Sequence, residues 1–129
     1  MTMMPDLFTL TSLTGVGGLI LIFVSSSMIV QNYFSPNQDR QRIRFHCYVG
    51  FSALLLAIIH ALSMDSIIFS SDMSATFALG LIFVIDAMGI VLRFLPNAGS
   101  IRFHSRSYHP ALVLGLVISA IIHVFSKLF

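Results

Sequence analysis

Four long apolar runs dominate this chain, at residues 8–30, 45–64, 75–95 and 108–125. Each approaches the roughly twenty helical residues needed to cross a hydrocarbon layer about 30 Å thick. Lipid offers no water to an unpaired peptide group, so a spanning segment must be a helix or a strand of a closed barrel. Barrel strands alternate polar and apolar residues, and these runs do not. The expected fold is therefore all-α: an integral membrane four-helix bundle, a single domain over residues 1–129. Composition agrees with this. Of the residues, 57% are hydrophobic and 9% charged, where a soluble domain carries about 25% charged residues.

The breaks between runs are short and polar: NYFSPNQDRQ, SMDSIIFSSDMS and PNAGS. Pro96 is expected to stop the third helix, because proline cannot continue the hydrogen-bond ladder. The opening MTMMPDL lacks a basic region, and no small-residue cleavage site follows, so the first run is read as a retained helix rather than a leader.

Charge orients the spans. Arg40, Arg42 and Arg44 lie in the first connection, Arg102 and Arg106 in the third, and Arg93 closes the third run. Asp6, Asp65 and Asp72 mark the N-terminus and second connection, where Lys and Arg are absent. By the positive-inside rule the first and third connections face the cytoplasm and both termini face out. Lys127 is the exception. The expected setting is a prokaryotic inner (cytoplasmic) membrane. The basic residues are too few and too scattered for a nucleic-acid surface. Cys47 stands alone, which excludes an internal disulfide, and no CxxCH occurs, which argues against covalent haem attachment.

The chemistry lies in two matching frames. HCYVGFSALLLAIIH runs from His46 to His60, and HPALVLGLVISAIIH from His109 to His123. Fourteen residues turn a helix through about 1400°, within about 40° of four turns, so each pair shares one helix face. The rise is about 21 Å. The second and fourth helices run in the same direction, so facing pairs make two layers, His46 with His109 near the inner side and His60 with His123 near the outer. Histidine is a recurrent axial ligand of haem, and facing helices supply ligands in bundles. Two layers of this kind are expected to hold two b-type haems, each iron clamped by two imidazoles. Ionisable groups inside a membrane are costly and usually functional. His104 lies five residues before His109, about 140° around the helix and off the ligand face. Cys47 is about 100° from His46 on the same basis. Zinc or copper needs more ligands converging at one point, and a histidine proton relay does not require matched spacing.

At these residues the chain resembles the diheme membrane cytochromes b and, equally, the ferric-reductase-like transmembrane domain of ferric reductases and NADPH oxidases. In that domain a histidine followed soon by glycine opens one haem helix, as HCYVG does here. A basic, aromatic stretch leads into the other, as RFHSRSYHP does. The resemblance implies axial ligation by His46, His60, His109 and His123. No flavin or nicotinamide segment lies within the sequence, and the quinone-site loops and later helices of cytochrome b are missing. It implies a bare haem core whose partners are other subunits of a membrane redox complex, soluble redox proteins or a quinone.

Other residues take expected roles around this core. Gly50 and Gly115 fall within the frames and can admit a flat porphyrin edge or a neighbouring helix. Gly15, Gly17, Gly18, Gly80 and Gly89 read as packing devices. Arg42, Arg44, Arg102 and Arg106 flank the inner histidines and suit anionic propionates, although topology alone also calls for cations there. Lys127, Ser66 or Ser126 are the donors available to the outer layer. Asp86 sits mid-helix, where a charge is costly. It can bond a serine, bind a quinone or carry a proton. The expected function is electron transfer across the membrane, as a subunit of an oxidoreductase rather than a complete enzyme. The alternatives are a structural or assembly subunit of a respiratory or photosynthetic complex, and a small proton-coupled transporter.

Overall fold

A computed structural model describes the backbone at residues 4–35, 40–63 and 73–128. Those residues form four helices: α1 (Met4–Phe34), α2 (Arg40–Ser63), α3 (Met73–Phe94) and α4 (Gly99–Leu128). All four are long and apolar enough to cross a membrane. The chain is thus an all-α, multi-pass four-helix bundle, as its apolar runs require.

The helices extend past the apolar runs where polar residues continue them. α2 begins at Arg40, and α4 begins at Gly99, well before the apolar run at 108. Hydropathy marks only the part that meets lipid, whereas the helix continues wherever its backbone bonds can form. At 30 residues, α4 is about 45 Å long, more than the hydrocarbon layer is thick, and its first turns carry Arg102 and Arg106. Pro96 does end α3, which stops at Phe94; the residue before a proline is driven out of helical geometry. The Leu95 amide still bonds the Val91 carbonyl at 3.1 Å, and the Ala98 amide bonds the Leu95 carbonyl at 3.2 Å, making the turn. Gly99 starts α4 with φ of +51°, a left-handed conformation that glycine adopts without steric penalty.

Short connections make sequential helices antiparallel neighbours. α1 packs closely along α2, and α3 along α4, giving two hairpins. The hairpins meet each other more sparingly, through α2 against α3 and α1 against α4. α2 and α4 therefore stand diagonally across the bundle, without close approach of their described backbones.

The interior is thin. Ala53, Ile82, Ile85, Val113 and Leu116 form its buried apolar cluster. Ala53 lies seven residues from both His46 and His60, and Leu116 seven from both His109 and His123. The cluster thus occupies the middle of the bundle, between the two histidine levels. Large apolar side chains point outward instead. Leu13, Leu62 and Phe77 are each more than 60% exposed. That is the inverse of a soluble protein, and it gives lipid tails the apolar contact that water would penalise. Asp65, Ser66 and Asp72 lie outside the described residues, as do the side chains of Asp6, Arg40 and Lys127.

Candidate functional site

The fourteen-residue frames do what their spacing requires. His46 of α2 faces His109 of α4, with ring centroids 5.9 Å apart and ring planes at 75°. His60 faces His123 at 6.4 Å and 79°. Both pairs bridge the diagonal of the bundle, where the hairpins leave room between α2 and α4. A metal bound in line between two imidazoles places it about 2 Å from each nitrogen. Adding the half-width of both rings puts the centroids about 6 Å apart, on the same bond lengths. The centroid separations of both pairs match that length. Among the described residues, no group of three or more His, Cys, Asp or Glu is placed to hold a metal ion.

Helix α1 orients the α2 histidines. His60 Nδ1–H donates to the Thr11 carbonyl at 2.9 Å. A carbonyl oxygen only accepts, so this bond places the proton on Nδ1 and leaves the Nε2 lone pair free in the neutral ring. At the inner level, Ser25 Oγ and His46 Nδ1 are hydrogen-bonded at 3.0 Å. Thr11 also ties the helix ends together, its hydroxyl donating to Ser63 Oγ at 2.8 Å. Ser63 in turn donates to the His60 carbonyl at 2.9 Å.

Gly15 is part of the outer site. A Cβ added there would stand 2.8 Å from His60 Cε1 and 2.9 Å from its Nδ1. The missing side chain is the space that the imidazole occupies. Gly17 lets α1 approach Leu56 of α2, to which an added Cβ would stand 3.2 Å away, whereas a Cβ on Gly18 would meet Leu56 and Ala57 at ordinary contact distance. Gly80 and Gly89 have open space where a Cβ would be, so helix contact does not require them. Gly115 meets Leu81 of α3 at an ordinary contact distance. Gly50 faces Asp86, whose Oδ1 would be 3.4 Å from an added Cβ.

The inner layer borders a cavity between all four helices. His46, His109, Ser25, Gly50, Asp86 and Cys47 are among its lining residues. Cys47 thus shares a cavity with His46 despite the angle between them on the helix. Buried Asp86 Oδ2 and buried His109 Nδ1 have no hydrogen-bond partner among the described residues. Buried polar atoms are normally paired, so these two mark a polar side of the cavity. Arg42, Arg44 and Arg106 are exposed and Arg102 half-buried. All four lie at the start of α2 or α4, the same end of the bundle as His46 and His109. His104 is exposed and stacks on Tyr108 with centroids 6.0 Å apart, away from both pairs. Ser126 donates to the His123 carbonyl at 2.8 Å, so its proton is used within α4.

Thr11, Ser25 and Gly15 are site residues that the histidine frames do not announce. A signal for the first two does exist. They are fourteen residues apart, the same interval as the histidines they hold. Comparison with protein-family models, curated proteins and solved structures finds no significant match.

Proposed function

We infer that this chain is a membrane cytochrome b that carries electrons between the two faces of a membrane through two bis-histidine haems. The observation that carries the reading is the coincidence of two imidazole pairs, each at metal-bridging separation, stacked along one diagonal of the bundle. A two-ligand site suits a metal whose other four positions are filled by a porphyrin. When bound, haem supplies a one-electron carrier at each level. The chain's own residues do the rest. His46 and His109 would hold the inner group, and His60 and His123 the outer. The Thr11 carbonyl fixes the His60 tautomer, and Gly15 gives that ring its place. Arg42, Arg44, Arg102 and Arg106 would offer cations to propionates at the inner end. Two protein imidazoles at each level would hold the group for electron transfer rather than for binding oxygen.

The chain would act as the electron-transfer subunit of a larger redox assembly, exchanging electrons with a quinone, with other subunits or with soluble redox proteins. By charge, the histidine level nearest the arginines faces the cytoplasm, and both termini face out. The test is a reduced-minus-oxidised visible spectrum of the purified chain, with haem quantified as the pyridine hemochrome. Two low-spin b-type haems per chain are expected. An intact chain that takes up no haem overturns the reading.

A further inference from the structure

The two α2 histidines are held in chemically different ways, although the geometry around them is matched. α1 runs antiparallel to α2, and its fourteen-residue interval falls in register with the histidines: Ser25 meets His46 and Thr11 meets His60. At the outer level the acceptor is a main-chain carbonyl, which no side-chain substitution removes. At the inner level it is a hydroxyl, which can accept from Nδ1–H or donate to bare Nδ1. Only the first arrangement leaves the His46 Nε2 lone pair free for a metal. In the second, Nε2 carries the proton and cannot ligate. Serines elsewhere in α1 send their own proton to a main-chain carbonyl, the acceptor open to a helical serine. Neighbouring Ser26 and Ser27 donate to the Ile22 and Val24 carbonyls of α1, at 2.6 and 2.7 Å.

We propose that Ser25 is a positioning residue for the inner centre: its Oγ accepts the Nδ1 proton of His46, presents Nε2 to the iron and sets that centre's midpoint potential separately from the outer one. This rests on the haem reading above and names the residue that makes the two centres unequal. The partner of a ligating imidazole raises the ring's basicity. A more basic imidazole favours ferric over ferrous iron and lowers the potential. The outer ring bonds a carbonyl, the stronger acceptor. The inner ring bonds a hydroxyl, the weaker one. The inner centre therefore has the higher potential of the two.

The test uses the full chain in detergent or nanodiscs, titrated with hemin and then poised potentiometrically, with ferric low-spin EPR of each centre. The variants are S25A, which removes the acceptor, and S25T, which restores it. Loss of an outer-shell partner costs about 10- to 100-fold in metal affinity, so S25A should weaken one of two haem equivalents by that factor. If ferric affinity falls tenfold more than ferrous, the inner midpoint rises by about 59 mV, the one-electron value. The outer midpoint and its EPR signal stay as in wild type, which also shows that the variant is folded. S25T returns the inner centre to the wild-type value. Two haems in S25A with both midpoints and both EPR signals unchanged overturn the assignment and leave the haem reading standing. So does an equal shift of both centres. A wild-type chain that binds no haem overturns both.

Discussion

At the scale of single residues, the four histidines are legible from sequence because their chemistry and their period coincide. Imidazoles are rare within apolar runs, and two pairs at one interval admit few explanations. His46→Ala or His109→Ala should cut haem from two equivalents per chain to one, and His60→Ala or His123→Ala should remove the other, each read by hemochrome assay. Gly15→Ala should also lose the outer equivalent, since its Cβ would stand 2.8 Å from the His60 ring. Thr11→Val makes the contrasting case. It keeps the main-chain carbonyl that orients His60 and loses the hydroxyl bonds to Ser63. Both haems should remain, with stability lowered by about 1 kcal/mol, measured by thermal unfolding in detergent. Thr11, Ser25 and Gly15 are not legible in the same way. A hydroxyl in a membrane helix commonly bonds its own backbone, as Ser26 does. Whether it reaches a neighbour depends on a register between helices that one sequence does not state.

At the scale of helices, sequence gives the number and type of the elements and misses their ends. The apolar run of the fourth helix starts at 108, but α4 itself starts at Gly99. Arg102 and Arg106 interrupt the hydropathy without interrupting the backbone ladder. The break at Pro96 is legible because its cause is local and steric. Within α2 and α4 the functional quantity is angular phase. One alanine inserted between Leu54 and Leu55 advances the rest of α2 by about 100°. His60 then leaves the face it shares with His46. The expected result is one haem per chain instead of two, with the helical far-ultraviolet spectrum retained.

At the scale of the whole molecule, the diagonal relation of α2 and α4 follows from chain order once each helix packs on its sequential neighbours. The sparse meeting of the hairpins does not follow from sequence, because it reflects how little apolar volume lies between them. Ala53 is the most buried residue of that central cluster and also among the smallest. On the proposed reading, a membrane-impermeant reductant outside proteoliposomes should reduce an acceptor trapped inside them only when the chain carries haem. A His60→Ala chain should lose that transfer. An epitope at either terminus should be accessible from outside intact spheroplasts.

The division into two hairpins also bears on how the protein is made. Each hairpin carries one histidine of each pair: His46 and His60 on the first, His109 and His123 on the second. A nascent chain that has released only α1 and α2 holds half of both sites and the whole of neither. On the proposed reading, cofactor capture would wait for α4 to arrive. Truncated products would leave the ribosome redox-silent.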